Sequence, residues 1–362
     1  MKVLFVTLGT ERVAASRYRV YQYLPYLESQ GIRCKVVSIV SDFATGLAIR
    51  SPEFGGLKRF LYYVYVFFER FFRFWIVFSL AGRFDIVFLQ RATFPFGLAG
   101  VLPFANKKII FDIDDAIFLP DSSNNDFVTK FKGLIKGREL TDVLRISKCV
   151  IVENDYIKDH VSKYCGKVYK IPGPIDTDRY FVKTKGHKGA EEDVVIGWIG
   201  SPATTSYLHL LDNVFKMILS RFSNIKIVLI GAGNYSFPDK SVVKMPWSYE
   251  TEVAQLQKFD IGIMPMPDDQ WTRGKLGCKM LQYMAVGVPS VVSYTPTNAE
   301  LIKSDDNGFL VKSDAEWIDV LTRLIKDEGL RLAIGGAGRA AVEKSCSVKI
   351  NAPKMIELLK SL

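Results

Sequence analysis

At 362 residues, 48% of them hydrophobic, the chain is long enough for two domains with a core each. Its five cysteines (Cys34, Cys149, Cys165, Cys278 and Cys346) are widely spaced and make no CxxC; with three histidines in no HExxH or triad pattern, they exclude a disulfide framework and a zinc cluster and point to a reducing compartment. A formal net charge of +10 implies an anionic partner but does not choose among phosphate, nucleic acid and an anionic membrane face.

The chain opens on Val3–Thr7, a continuous apolar strand of the kind buried in a parallel sheet, so no secretory leader is expected. Gly9-Thr10 turns it into a loop holding Arg12, Ser16, Arg17 and Arg19. An amphipathic helix, Tyr18–Gln30, follows, closed by Gly31 before a second strand, Cys34–Val40. In a strand–helix–strand unit the Gly9 loop opens at the carboxyl edge of the sheet, where ligands bind; a plain tight turn also explains a lone glycine. Phe60–Phe78 holds eleven aromatics in nineteen residues, interrupted by Glu69, Arg70 and Arg73. Its uncharged runs are far shorter than the roughly 20 residues of a spanning helix. Two readings stand: a helix lying in a membrane interface with its cations at the headgroups, or a core helix. A mixture, with one face packed and one exposed, satisfies both. Phe84–Arg91 is a further strand, and Asn106–Phe118 repeats the design, its Lys108–Phe111 running into Asp112, Asp114 and Asp115. Three carboxylates at a strand end suit metal binding or acceptor recognition, or equally a helix cap or partners for nearby arginines. No other feature supports a metal, and none is expected. Cys149–Val152 and Tyr169–Ile171 lead to Pro172-Gly173-Pro174.

Asp178–Asp193 is polar and without apolar periodicity, as a linker should be. Beyond it come a strand Val194–Ile199, the loop Gly200–Thr205, a helix Tyr207–Arg221, and strands Ile225–Ile230, Val242–Met245 and Ile261–Met264. Trp271–Pro289, WTRGKLGCKMLQYMAVGVP, then places two glycines with lysines beside them at the start of a helix, ahead of a strand Ser290–Ser293. A glycine loop opening a helix at a strand's carboxyl end is a phosphate cradle, because the first-turn N–H groups point at the anion. Solvated helix-start lysines are the plainer account of Lys275 and Lys279. The alternation in both halves gives an α/β chain of two doubly wound domains facing each other across a cleft. The expected boundaries are 1–177, a linker 178–193, a second domain 194–345, and a C-terminal helix within 346–362 returning towards the first domain.

SRYRVYQYLPYLESQGI, DIVFLQR, FDIDDAIF, IPGPIDTDRY, IGWIGSPATTSYL, KLGCKMLQYMAVGVPSVVS and NGFLV occur in that order along most of the chain. With them the chain resembles the bacterial group 1 glycosyltransferases, glycosyltransferase family 4, whose fold is GT-B, two Rossmann-like domains. The resemblance implies transfer of a sugar from a nucleotide-diphosphate donor, with retention of configuration and without metal or cofactor. The family carries two glutamates eight positions apart in this loop; the matching positions here are Gly274 and Gln282. The family's basic pair after the first strand of the second domain is also missing, since Gly200–Thr205 holds no Lys or Arg. Gln282 keeps the capacity to hydrogen-bond a ribose, whereas Gly274 cannot replace a carboxylate. Charge developing on the departing diphosphate then calls for another cation: Lys275 first, with Arg273 and Lys279 beside it. By position, Gly200, Ser201, Thr204, Gly274, Gly277 and Cys278 join the donor site, Trp247 and Ser248 meet the base, and Glu300 approaches the donor or serves as a helix N-terminal acid. Asp114 and Asp115 complete the catalytic candidates, and Gly9, Arg17, Arg19 and Arg91 fall to the acceptor.

The expectation is therefore a hexosyltransferase-type enzyme acting on a cell-envelope glycan, with a lipid-linked acceptor by family habit, peripheral on the anionic cytoplasmic face of the inner membrane and without nucleic acid. A non-catalytic nucleotide-sugar-binding subunit and a GT-B epimerase are the alternatives.

Overall fold

The structure, a computed structural model, describes residues 1–50, 56–119, 127–182 and 193–362. Most of the expected linker, 183–192, lies outside the described residues. The chain divides into two compact units: Met1–Pro174 with Gly274–Leu276 and Asn351–Leu362, and Ile175–Arg273 with Gly277–Ile350.

The first unit is built on a parallel sheet ordered β2-β1-β3-β4-β5-β6: β1 (Lys2–Thr7), β2 (Arg33–Ser38), β3 (Ile86–Gln90), β4 (Ile109–Ile113), β5 (Cys149–Val152) and β6 (Val168–Lys170). β3, β4 and β5 are buried along their whole length, as apolar runs covered on both faces must be. Order reverses between β1 and β3, so the loops after these strands open at the switch point where doubly wound sheets bind ligands. The helix expected over Tyr18–Gln30 is three pieces: helix Ala14–Arg19, a 3₁₀ turn Tyr21–Tyr23 and helix Leu24–Ser29. Val20 leaves the helical region (φ −131°, ψ −61°), and Pro25 starts the next helix, where its missing N–H costs nothing. Helix Gly56–Ala81 covers the sheet with Phe74, Val77 and Ala81 buried. It is anchored by Arg70, whose guanidinium donates to the Thr93 carbonyl (2.7 Å) and pairs with Glu139.

The second sheet is also parallel, ordered β12-β11-β10-β7-β8-β9: β7 (Val194–Ile199), β8 (Ile225–Ile230), β9 (Val242–Met245), β10 (Ile261–Met264), β11 (Ser290–Ser293) and β12 (Phe309–Val311). Its order reverses between β7 and β10, which pair only through Ile261↔Ile196 and Gly262↔Gly197. Both glycines admit a ring. A Cβ on Gly197 would fall 2.1 Å from Phe259, and one on Gly262 2.4 Å from Tyr283. Past this pair the Tyr283 hydroxyl spans the two strands, donating to the Ile263 carbonyl and accepting from the Ile199 N–H, each at 3.1 Å. The segment expected as a helix over Tyr207–Arg221 begins as a 3₁₀ run, Pro202–Leu211, and becomes α-helical over Asp212–Arg221. The Thr204 and Thr205 hydroxyls both donate back to the Ser201 carbonyl (3.2 Å each), a local bond that competes with regular helix geometry.

Tyr283→Phe leaves the buried Ile199 N–H and Ile263 carbonyl without this partner and should cost roughly 1–3 kcal/mol. Urea unfolding of the two proteins checks it; an unchanged midpoint would remove the hydroxyl from the account of this sheet.

Candidate functional site

In the second unit, helix Cys278–Ala285 starts just beyond Gly277. A Cβ on Gly277 would lie 2.2 Å from the Met264 side chain at the end of β10, so only glycine brings the helix start this close to the strand. Gly277 has no side chain with which to cap the first turn, which leaves capping of those N–H groups to other atoms. Lys279, in this turn, places its ammonium 3.3 Å from the Thr204 hydroxyl and 5.4 Å from the centre of the Trp198 ring. Gly200 lies under the same lysine: a Cβ there would meet the Trp198 ring at 2.3 Å and the Lys279 Cε at 3.0 Å. Gly231, in the left-handed region (φ +72°), closes in on the Gly200 carbonyl from the end of β8. Gly200, Thr204, Gly277, Cys278 and Lys279 are thus gathered at the carboxyl ends of β7 and β10. Ser201 supplies the carbonyl that holds Thr204, and its residue is exposed.

Gln282, one position before the bridging tyrosine, is buried and donates to the Tyr180 hydroxyl at 3.5 Å. Tyr180 in turn donates to Glu252, whose other oxygen accepts from the Trp247 indole N–H at 2.6 Å. A buried polar chain therefore runs from the helix through Tyr180 and Glu252 to the loop expected to hold the base. Ser248 shares a 2.8 Å hydrogen bond with Thr251. Arg339 fixes the far end of the same helix, donating to the Ala285, Tyr180 and Thr177 carbonyls. Arg273 is exposed and paired with Asp268 (2.8 Å), whose carboxyl its hydrogen bond holds below the usual range. Glu300 corrects one expectation. It stands at the C-terminal end of the short helix Pro296–Ala299, exposed, and so is not a helix N-terminal acid.

Gly274–Leu276 belongs to the first unit. The Asn154 side chain donates to the Gly274 carbonyl at 3.0 Å while capping helix Asp155–Val161. A Cβ on Gly274 would lie 2.6 Å from the Ala116 Cβ and 2.9 Å from the Tyr156 ring. The room that a carboxylate side chain would need is filled. Lys275 is half-buried, and its ammonium has no hydrogen-bond or ion-pair partner among the described residues.

In the same unit Gly9 approaches Val13 to 2.4 Å (measured to its missing Cβ), and its N–H donates to Ser16, which donates to Gln90. That ties the loop after β1 to the end of β3. Arg17 is buried and reaches the Glu11 carbonyl at 3.3 Å. Arg19 is 1% exposed, clasping Asp112 with two nitrogens (2.5 and 2.9 Å) and the Ile171 carbonyl with a third. It therefore holds the floor of this edge, and is not presented to solvent. Arg91, a residue with positive φ (49°), divides its guanidinium between Asp114 (2.8 Å) and Asp115 (2.5 Å). So the three acids at the end of β4 are partnered by two arginines, and among the described residues no group of three or more His, Cys, Asp or Glu is placed to hold a metal ion.

A fourth acid, Glu153 at the end of β5, is 4% exposed and has no arginine in ion-pair contact among the described residues. Burial pushes its carboxyl well up, and Arg19 only partly restrains it against Asp114, Asp115 and Asp112. Burial likewise raises Asp114 to about 6, with Arg91 opposing. Burial alone would weaken proton binding by Arg19 and Arg91, but the carboxylates beside them reverse that and keep both charged.

Residues 193–327 match the family model described as Glycosyl transferases group 1. Over that span the chain is similar to the group 1 glycosyl transferases. A stretch of 188 residues is 26% identical to the capsular polysaccharide biosynthesis glycosyltransferase CapM of Staphylococcus aureus, covering 48% of this chain and 47% of CapM. The match thus spans about half the length of that relative. Among solved structures, HepE of Anabaena in complex with UDP-glucose aligns over 100% of both chains with a TM-score of 0.69 at 13% identity. Sucrose-phosphate synthase of Thermosynechococcus elongatus aligns over 100% of this chain and 98% of its own, with a TM-score of 0.70 at 12% identity. The fold is GT-B.

The matched span holds Gly200, Thr204, Trp247, Lys279 and Gln282 in the second unit. Sequence reasoning passed over Glu153, Glu252, Tyr180 and Tyr283. The last three looked like ordinary core or linker residues, and only the order of strands could have drawn attention to Glu153 at a parallel strand's carboxyl end.

Two measurements follow from this geometry. Gly274→Glu should cost roughly 1–3 kcal/mol through overpacking against Ala116 and Tyr156; a variant as stable as the parent in urea would show the space to be open. Glu153 has a folded-state pKa above its unfolded one, so the folded form loses stability as pH rises from the unfolded value towards the folded value. Glu153→Gln should remove that loss, giving a stability gain that is larger at pH 8 than at pH 5. A gain independent of pH would refute it.

Proposed function

We propose that the protein is a retaining, metal-independent glycosyltransferase that moves a sugar from a nucleotide-diphosphate donor to a cell-envelope glycan carried on a lipid. The observation that carries this reading is the convergence at the β7/β10 switch point: an N-terminal helix turn opened by Gly277, Lys279 beside Thr204, and Gly200 beneath both. Donor N–H groups and a cation at a helix start suit a diphosphate. The similarity to the group 1 glycosyl transferases, and the binding of UDP-glucose by HepE, support a nucleotide sugar and make a uridine nucleotide the first donor to test. CapM's role in capsular polysaccharide biosynthesis supports an envelope glycan as acceptor.

In the reaction the bond between the anomeric carbon and the diphosphate oxygen breaks, its electron pair leaving with the diphosphate. The acceptor hydroxyl oxygen bonds to the same face of the anomeric carbon, and its proton passes to the departing phosphate. Lys275, Lys279 and the helix start stabilise the charge that grows on the diphosphate, an effect larger in the transition state than in the bound donor. Gln282, Trp247 and Ser248 take the ribose and base. Arg17 and Arg91, with Asp114 and Asp115, take the acceptor side. No cofactor enters this scheme. The enzyme acts at the cytoplasmic face of the inner membrane as a peripheral protein; among the described residues no helix is long and apolar enough to cross a membrane. A non-catalytic nucleotide-sugar binder is the second reading, favoured by the filled space at Gly274.

Thermal stabilisation by a panel of nucleotide sugars, followed by transfer of labelled sugar to membrane extract, tests both. Lys275→Ala should keep donor-induced stabilisation and lower transfer by about 100-fold or more, the size seen when one stabilising donor to a developing oxyanion is lost. Near-normal turnover would end the role of Lys275, and stabilisation by a nucleotide sugar without transfer in the parent protein would favour the binder.

A further inference from the structure

Helix Gly56–Ala81 is apolar on two sides. One side carries Phe74, Val77 and Ala81 into the core of the first unit. The other carries Leu57, Leu61, Tyr65, Phe68, Phe72 and Trp75, all exposed, at steps of three and four residues that align them in one stripe. From Leu57 to Trp75 the stripe runs about 27 Å at the rise of an α-helix. Neighbouring rings extend it: Phe43 meets Tyr65 edge-on at 5.8 Å, and Phe96 meets Phe67 at 5.0 Å. Phe96 is 77% exposed and has a positive φ (56°), a costly backbone for a bulky residue that leaves its ring on the outside. A contiguous exposed apolar surface of this kind marks an interaction site.

We propose that this stripe lies in the headgroup–acyl boundary of a bilayer rich in anionic lipid. Tyrosine and tryptophan among the apolar residues, with the cations Lys58 and Arg59 exposed at one end and Arg73 at the edge, form the composition that sits at such a boundary. The charge is complementary: the chain is +10, and anionic lipid attracts it. A second copy fits less well, because two such faces would bring the same cations together between two strongly basic chains. The inference deepens the proposed function by naming the surface that brings the enzyme to a lipid-linked acceptor, and rests on that reading only for its benefit to transfer.

The test is cosedimentation of the full chain with vesicles of phosphatidylcholine alone and of phosphatidylcholine with phosphatidylglycerol. The parent protein should bind the anionic vesicles more tightly. Phe68→Ser/Phe72→Ser/Trp75→Ser should keep its melting temperature and lower binding to both vesicles by about tenfold or more. Lys58→Glu/Arg59→Glu, at two exposed residues, should lower binding to the anionic vesicles alone, since each basic residue near such a surface contributes a factor of about five. Failure of the parent to bind either vesicle, or equal binding by the charge-reversed variant, overturns the proposal. So does a parent dimer in sedimentation that the serine variant turns into a monomer. The serine variant should also keep stabilisation by nucleotide sugar. Vesicle binding without any sugar transfer would end the glycosyltransferase reading and leave this surface in place.

Discussion

The second unit depends on how two parallel strands part. β7 and β10 share two register pairs, and beyond them each strand has a backbone group that ladder pairing no longer serves. The Tyr283 hydroxyl takes both, as acceptor to one strand and donor to the other. Because Tyr283 rides on helix Cys278–Ala285, satisfying the sheet also fixes the rotation of that helix. Lys279, one turn earlier, then faces the loop after β7, and Gln282 faces Tyr180. The opening that makes a ligand site possible and the tether that aims the site's side chains are thus one device. Gly262 admits the tyrosine ring, so the arrangement is written into a small residue on the strand as much as into the large one on the helix.

In the first unit the constraint is charge in a dry place. Four carboxyl groups, Asp112, Asp114, Asp115 and Glu153, stand near the buried Arg19 and the half-buried Arg91 at the carboxyl edge of the sheet. Two cations can balance two of the four, and desolvation disfavours any excess of charge. Burial makes Asp112, Asp114 and Glu153 all hold protons more firmly, with the arginines opposing it. Asp112 pairs with Arg19, a buried bidentate pair whose value lies in fixing the end of helix Ala14–Arg19 against β4.

The strands and the glycine-opened helix could be read from sequence because their signals are local: unbroken apolar runs, and glycines where backbones approach closely. What escaped was set by distant partners. Tyr18–Gln30 has a helical pattern, yet Val20 and Pro25 break it and Arg19 turns inward to an acid over ninety residues away. Phe60–Phe78 could not be assigned to core or surface, since a helix with aromatics on more than one side does not say which side a sheet will cover. The structure divides it between both. That Gly274 stands where the resemblance expects an acid was visible, but what fills the space was not, because Ala116 and Tyr156 occupy it from another part of the chain. Glu153 was hidden by its neighbour: Asn154 is a standard helix cap, and the acid beside it looked like part of the same start signal.

Asn351–Leu362 belongs to the first unit, where Ala352, Met355, Leu358 and Leu359 are buried, although Met1–Pro174 supplies nearly all the rest of it. During synthesis, domains complete in the order in which their residues emerge. Here the first unit to begin is the last to be sealed, since helix Val348–Lys360, which closes it, leaves the second unit only at its end. A nascent chain stalled near residue 350 would hold every residue of the second unit and an unfinished first one, with the apolar seat of that helix open. This ordering makes the unfinished first unit the stage most in need of protection while the chain is made.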